Sequence, residues 1–187
     1  CHPAPVVTAI TVQDTAGVKQ FVAVEAGLVI AQARAILEDM PVAAIKTGML
    51  GSIDNLTALA GILNDYPDIP LIVDPVLASG GGVALSDEPI EEALHALLLP
   101  QTTLLTPNTL EARRLAPDAD SIDACGQALL TAGCQFVLIT GTHENTPTVI
   151  NRLYAESRLP ASFTCQRLPH PSHGSACTPA AAFAATL

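Results

Sequence analysis

The stretch Pro70-Leu71-Ile72-Val73-Asp74-Pro75-Val76, residues 70–76, decides the fold class of this chain. Its core is a short, unbroken aliphatic run, which is typical of a parallel strand that is buried on both faces. Pro75 cannot donate a hydrogen bond to a central sheet ladder, so the strand must end beside it. The stretch therefore predicts an interior parallel strand that ends in a carboxylate.

Longer amphipathic runs flank this strand, and the alternation continues along the chain. Helices are predicted over 53–66 before it and 86–99 after it. The other predicted strands are 6–13, 43–48, 102–106 and 135–141, and the other predicted helices are 25–40, 108–115 and 121–134. Runs 149–154 and 162–168 are predicted to pair antiparallel before a final helix. The order predicts an α/β fold, with a central, mostly parallel sheet and right-handed crossovers.

The composition is that of one domain with an aliphatic core. Of 187 residues, 49% are hydrophobic but only 3% are aromatic. A core of Ala, Val, Leu and Ile suits buried strands that are covered by helices. The formal net charge is −10 with only eight Lys and Arg, which does not match the basic surface that binds a phosphate backbone. We therefore expect no nucleic-acid partner.

Cysteine spacing and hydropathy bear on the compartment. The five cysteines form no CxxC pair and no zinc-ligand spacing. Such a scattered, odd-numbered set favours reduced thiols in a cytoplasmic protein. No apolar run reaches the roughly 20 residues that span a bilayer. We expect a cytoplasmic protein that makes no membrane contact.

Polar residues follow several of the predicted strands. Ligands of open α/β sheets bind beyond the carboxyl ends of the strands, so these residues should gather at one edge. They are Gln13 and Asp14, residues 46–49, Asp74, residues 106–111 and residues 140–144. Two interpretations of Asp74 remain open at this point. It is either a strand-end carboxylate that accepts hydrogen bonds from the next loop, which the residue alone favours, or an oxygen ligand of magnesium.

The motif Thr106-Pro107-Asn108-Thr109-Leu110-Glu111 ends a strand and begins a helix. Asn108 has the position of an N-cap, and Glu111 three residues later can complete a capping box. The same two side chains, at the carboxyl edge of a sheet, can instead hold magnesium through water against the phosphates of a nucleotide. The motif alone leaves these two interpretations about even.

The stretch His173-Gly174-Ser175-Ala176-Cys177-Thr178-Pro179 is a turn of small residues that leads into a final helix. Pro179 fits the first helical turn, where its missing N–H is not needed. The N–H groups of Ser175, Ala176 and Cys177 would converge at the positive end of the helix dipole and bind an anion. Cys177 is either a buried small residue or a thiolate that acts as base or nucleophile, and the context favours the second.

Five motifs in order resemble the hydroxymethylpyrimidine and phosphomethylpyrimidine kinases of thiamine biosynthesis, which have the ribokinase-like fold. The motifs are Thr8–Thr15 with Gln13, Lys46-Thr47-Gly48-Met49-Leu50, Val73–Val76, Thr106–Ala112 and His173–Thr178. The resemblance covers nearly the whole chain. It implies a ribokinase-like α/β fold with helices on both faces of the sheet. It also implies ATP-dependent phosphorylation of 4-amino-5-hydroxymethyl-2-methylpyrimidine and then of its monophosphate.

The resemblance also implies roles for individual residues. Gln13 would bind the pyrimidine, with Met49 and Val76 lining its pocket, while Asp74 and Glu111 would serve magnesium. Asn108, Thr140, Gly141 and Thr142 would face ATP. The Gly174, Ser175, Ala176 and Cys177 turn would hold the charge of the transferred phosphoryl group, with Cys177 as the catalytic base. A homodimer is expected by the same resemblance.

Residues 1–187 are expected to form one kinase domain without the family's N-terminal strand, its glycine-rich segment and its C-terminal end. The chain departs from the family pattern at Ala176, where a second glycine is usual, and at Thr140, where a lysine is frequent. These two departures leave open a non-catalytic pyrimidine-binding domain on this fold. A pyridoxal or pyridoxine kinase of the same superfamily is a second alternative, because some members share the cysteine-containing turn.

Overall fold

The computed structural model describes residues 2–14, 17–77, 88–144, 146–167 and 177–186, without the side chains of residues 88 and 177–179. The strands are β1 (Ala9–Gln13), β2 (Val18–Ala23), β3 (Ile45–Thr47), β4 (Leu71–Val73), β5 (Leu104–Leu105), β6 (Phe136–Ile139), β7 (Thr148–Ala155) and β8 (Ala161–Gln166). The α-helices are α1 (Ala26–Asp39), α2 (Ile53–Asp65), α3 (Glu88–Ala93), α4 (Thr109–Leu115), α5 (Ile122–Thr131) and α6 (Cys177–Thr186).

Six strands form one sheet in the order β3-β4-β5-β6-β7-β8. The pairs from β3 to β6 are parallel, while β7 runs antiparallel to both β6 and β8. This arrangement confirms the predicted α/β class, the interior strand over 70–76 and the antiparallel pair before the final helix. The carboxyl ends of β3, β4, β5 and β6 therefore meet at one edge of the sheet.

Helices cover both faces of the sheet, as predicted. Leu71, Val73 and Leu105 pack into a large cluster with side chains from α2, α4 and α5. Ile72 and Leu104, which alternate with them, form a second cluster with Ala180 of α6. Because side chains of a strand point alternately to opposite faces, each short strand contributes to both layers.

The interpretation of residues 6–13 as the first strand of the parallel sheet is wrong. These residues contribute β1, which pairs antiparallel with β2 in a separate two-stranded sheet. Strand β2 was not predicted from the sequence, because Lys19 and Gln20 interrupt its apolar residues. A short run of alternating residues specifies a strand but not its sheet, and here β2 supplies the local partner.

The helix boundaries follow their capping residues. The side chains of Glu25, Ser52 and Ser121 accept hydrogen bonds from backbone N–H groups in the first turns of α1, α2 and α5. The helix predicted over 86–99 differs, since α3 continues as a π-helix over Leu94–Leu98 and a 3₁₀ turn over Leu99–Gln101. In the described part of the chain, no helix has the length and apolar character required to span a membrane.

Candidate active site

Asp74 lies directly after β4 and is buried, with 2% of its side chain exposed. Its backbone N–H donates to the Thr47 carbonyl at 3.0 Å, which extends the parallel ladder by one residue. Its carboxylate accepts a hydrogen bond from Lys46 of β3, with Nζ and Oδ2 3.1 Å apart. A buried carboxylate requires such a partner. The structure therefore places a neutralised ion pair at the carboxyl edge of the sheet.

Glu111 lies in the first turn of α4 and forms a capping box with Asn108. Its Oε2 accepts the Asn108 backbone N–H at 2.8 Å, and the Asn108 side chain accepts the N–H groups of Leu110 and Glu111. Burial, together with the negative charge of Asp74, raises the pKa of Glu111 from 4.5 to about 7. The capping interpretation is confirmed, and the carboxylate that serves it is electrostatically coupled to Asp74.

Asn108 and Thr140 occupy adjacent strand ends. A parallel β-bridge joins them, in which the Thr140 N–H donates to the Pro107 carbonyl at 2.9 Å and the Thr109 N–H donates to the Thr140 carbonyl at 3.2 Å. The sequence predicted both as nucleotide-facing residues, although they are far apart in the chain. The structure brings them together at the carboxyl edge.

Two buried hydroxyls at this place lack a hydrogen-bond partner among the described residues. They belong to Thr109 and Thr140, which are 1% and 7% exposed. A buried polar group without a partner is costly, so such groups are uncommon in folded proteins. Gly141 follows, and a Cβ there would clash with the Ile150 carbonyl oxygen. The close approach at Gly141 is to β7, so the hydroxyls without a partner among the described residues are the groups here that a phosphate or ribose could bind.

Helix α6 begins at Cys177, which confirms the predicted helix after the terminal turn. Residues 174–176 lie outside the described residues, and so does the Cys177 side chain. Helix α6 contacts β3 and β4. Ala44 and Ile72, each two positions before Lys46 and Asp74, pack in the cluster under α6, so strand alternation places the ion pair on the face that α6 covers.

Met49 and Val76 lie in the two segments that follow β3 and β4, and both are half-buried. The Met49 carbonyl accepts the Thr8 hydroxyl at 2.7 Å, which ties the two-stranded sheet to this edge. Gly48 lies next to Met49 in the chain and between Lys46 and Val76 in space. A Cβ at Gly48 would be 3.2 Å from Lys46 Nζ and 4.0 Å from a Val76 methyl. The two predicted pocket residues are therefore near the ion pair.

Gln13 is not placed on the six-stranded sheet. It ends β1, is exposed, and pairs with Val18 at a β-bulge. The expectation that Gln13 follows a strand of the parallel sheet is wrong, because that strand belongs to the separate hairpin. Thr142, the last predicted nucleotide-facing residue, is exposed in the loop after β6.

The family comparison agrees with this geometry. The model of the family described as phosphomethylpyrimidine kinase matches residues 1–187. The chain belongs to this kinase family. A relative from Mycobacterium tuberculosis (strain ATCC 25618 / H37Rv), named hydroxymethylpyrimidine/phosphomethylpyrimidine kinase, is 38% identical over 192 residues, which cover 100% of this chain and 70% of that protein.

Solved kinases share the fold of this one. Phosphomethylpyrimidine kinase from Clostridium difficile 630 superposes with a TM-score of 0.76 at 25% identity, over 97% of this chain and 84% of that one. Pyridoxal kinase from Staphylococcus aureus in complex with ADP superposes with a TM-score of 0.83 at 26% identity, over 97% of this chain and 68% of that one. The ribokinase-like fold and the phosphotransferase class are thus confirmed.

Sequence reasoning missed two residues of the kinase's sheet edge. Lys46 was part of a recognised motif but received no role, because its pairing with Asp74 depends on the register of β3 and β4 and not on a local pattern. Thr109 was interpreted only as a residue of the helix start, and nothing in the sequence marks its hydroxyl as unsatisfied. Among the described residues, no cluster of three or more His, Cys, Asp or Glu could hold a metal ion.

Proposed function

We propose that this chain transfers the γ-phosphoryl group of ATP to the hydroxymethyl oxygen of 4-amino-5-hydroxymethyl-2-methylpyrimidine, and then phosphorylates the monophosphate. One observation carries the proposal. The carboxyl edge of a single sheet brings together the Asp74 and Glu111 carboxylates and the unpartnered Thr140 hydroxyl. Phosphoryl transfer depends mainly on positioning and on stabilising charge, and this edge supplies groups for both.

The proposed chemistry at the reacting centre uses the terminal turn. The substrate hydroxyl loses its proton to Cys177 while its oxygen forms a bond to the γ-phosphorus, and the bond from that phosphorus to the bridging oxygen of ADP breaks. Cys177 is the first residue of α6, where the helix dipole favours a thiolate. The backbone N–H groups of Ser175, Ala176 and Cys177 are proposed to stabilise the charge of the transferred group.

The nucleotide is proposed to lie along the ends of β5 and β6. Asn108 and the segment from Thr140 to Thr142 would face it, and Gly141 lets this segment pack closely against Ile150 of β7. The Thr109 and Thr140 hydroxyls fit a ligand of this kind, since phosphate and ribose oxygens would give these buried groups the partners that they lack among the described residues.

The donor set fits magnesium that is held mainly through water. Asp74 is already paired with Lys46, and Glu111 already accepts the Asn108 N–H, so neither offers both oxygens to an inner coordination shell. Mg²⁺ usually keeps several waters and binds through one or two carboxylates plus substrate phosphates. Bound here, the ion would neutralise phosphate charge, while Asp74 and Glu111 would orient its waters.

The pyrimidine is proposed to lie beside Gly48, between Met49 and Val76, with Gln13 reaching it from the two-stranded sheet.

We also propose that the chain is cytoplasmic and forms a homodimer. Ile10, Val12 and Val22 are 65%, 55% and 59% exposed on that sheet, and such an apolar face can pair with its own copy. An unchanged sedimentation coefficient for Ile10→Ser would remove this face from the interface.

Turnover of the pyrimidine alcohol with ATP and magnesium, followed by ³¹P NMR, tests the function. The proposal expects the monophosphate and then the diphosphate to form. Cys177→Ala is expected to lower kcat by about a hundredfold or more, the contribution of a general base, while calorimetry shows ADP and pyrimidine binding largely kept. An unaffected rate would remove Cys177 from the role of base.

The likeness to Staphylococcus aureus pyridoxal kinase supports one second candidate, phosphorylation of pyridoxal. Calorimetric titration with each ring compound separates the two, because the preferred substrate should bind more tightly. A chain that binds the pyrimidine but transfers no phosphate would instead be a non-catalytic binding domain. That result would overturn the enzymatic proposal.

A further inference from the structure

Arg167 donates hydrogen bonds to three backbone carbonyls of the loop after β6. Its Nη1 donates to the Thr142 carbonyl at 2.7 Å, its Nη2 to the Glu144 carbonyl at 2.6 Å, and its Nε to the Thr146 carbonyl at 3.1 Å. Arg167 follows β8 directly and is half-buried. One side chain of the β7–β8 hairpin thus binds the loop at three points.

The bound loop continues the segment proposed to face the nucleotide, Thr140 to Thr142. Among the described residues of the loop, the Glu144 N–H donates to the Gly141 carbonyl at 3.2 Å and the Thr146 N–H to the Glu144 carbonyl at 2.9 Å. The Gly141 N–H donates to Asn151 Oδ1 at 3.2 Å, which fixes the start of the loop to β7. Arg167 adds three hydrogen bonds that hold the rest of it.

The three hydrogen bonds depend on the planar geometry of the guanidinium and not only on its positive charge. Among the ion pairs of the described residues, none includes Arg167, so carbonyl oxygens are its observed acceptors. A planar fork with fixed donor directions reaches several carbonyls of one turn at once, whereas a lysine ammonium presents its donors from a single point. A role as a generic surface cation does not require this arrangement.

We propose that Arg167 is a positioning residue that shapes the nucleotide loop and so sets the affinity for ATP. The inference rests on the proposed function, because it takes Thr140 to Thr142 as nucleotide-facing.

Arg167→Gln tests the proposal through three measurements: hydrogen exchange, ADP binding and steady-state kinetics. Hydrogen exchange of the Glu144 and Thr146 amides should speed up by about tenfold or more, because removing the charged donors loosens the loop. The Kd for ADP by calorimetry and the KM for ATP should each rise about tenfold, because a loop that Arg167 no longer holds must be ordered when the nucleotide binds. The kcat and the KM for the pyrimidine should change by less than about threefold.

Arg167→Lys keeps the charge and is expected to restore the ADP affinity only in part, since it cannot reproduce the fork. It also serves if the glutamine variant does not fold. Arg158→Gln is the matched control, because Arg158 is exposed in the turn between β7 and β8; all three readouts should stay at the wild-type level.

Unchanged hydrogen exchange of the Glu144 and Thr146 amides in Arg167→Gln would overturn the proposal that Arg167 holds the loop. Faster exchange with unchanged ADP affinity would overturn its role in nucleotide binding, and wild-type ADP affinity in Arg167→Lys would overturn the requirement for the guanidinium fork. Failure of the wild-type chain to bind ADP would contradict the proposed function instead, and the exchange measurement would still decide whether Arg167 holds the loop.

Discussion

Two aspartates follow strands in this chain and each is paired with a lysine, but their surroundings differ. Asp14 follows β1 and lies 2.6 Å from Lys19 Nζ, with side chains 44% and 68% exposed. Asp74 follows β4 and lies 3.1 Å from Lys46 Nζ, with side chains 2% and 24% exposed. The same kind of ion pair is thus exposed to water on the two-stranded sheet and largely buried at the carboxyl edge of the six-stranded sheet.

The difference supports the proposal that phosphoryl transfer takes place at the carboxyl edge of the six-stranded sheet. Exposed pairs contribute little, because water and salt screen them. A buried pair is expensive to form but fixes a charge where a substrate can meet it. Glu111 is coupled to the buried pair, and its pKa is raised to about 7. The two-stranded sheet β1–β2 presents an exposed apolar surface, while the carboxyl edge of the six-stranded sheet presents buried polar groups.

The largest expected difference in stability comes from removing each lysine. Lys46→Met leaves Asp74 buried without its cation and should lower the free energy of unfolding by about 3 kcal/mol, the lower range for breaking a buried pair. Lys19→Met should change it by less than about 1 kcal/mol. Urea unfolding at pH 7 measures both, and equal effects would contradict the contrast between the two pairs.

Glu111→Gln should alter the pH dependence of stability. The native carboxyl has a pKa of about 7 against an ordinary 4.5, so the folded chain binds more protons than the unfolded chain between these values. This group therefore contributes stability that falls as the pH rises from 4.5 to about 7. Glutamine still accepts the Asn108 N–H but does not titrate.

The measurement is urea unfolding of both proteins at several pH values between 4.5 and 8. The stability of Glu111→Gln relative to wild type should increase steadily up to about pH 7 and then level off. Parallel stability curves would show that Glu111 does not titrate in this window. An unchanged magnesium dependence of turnover would leave Glu111 with its capping role alone.

Thr140→Val has the smallest expected effect and the most specific pattern. Valine has nearly the shape of threonine but no hydroxyl, so the variant removes a buried group that has no partner among the described residues. The free energy of unfolding should rise by about 1 kcal/mol, while the KM for ATP rises severalfold. A less stable variant with an unchanged KM would show that the hydroxyl serves the fold and not the nucleotide.

The sequence predicted those parts of the fold and site that depend on local pattern. Asp74 was found because a carboxylate ends a buried run, and Asn108 with Glu111 because a cap and its partner are three residues apart. The pairing of Lys46 with Asp74 depends on the register of two strands that are 28 residues apart, and no local signal specifies it. Strand β2 was not predicted for a similar reason, because it is stabilised by pairing with β1 and not by a buried apolar run of its own.

Phosphorylation of the pyrimidine alcohol by Asp74→Asn and Asp14→Asn, measured as kcat with saturating ATP and magnesium, tests the central claim most directly. Asn keeps the size of the side chain and removes only the charge. We expect Asp74→Asn to lose about a hundredfold or more in kcat, the size of other losses of transition-state electrostatics, while Asp14→Asn stays within about twofold of wild type. A folded Asp74→Asn variant with the wild-type kcat would contradict the assignment of catalysis to the carboxyl edge of the six-stranded sheet.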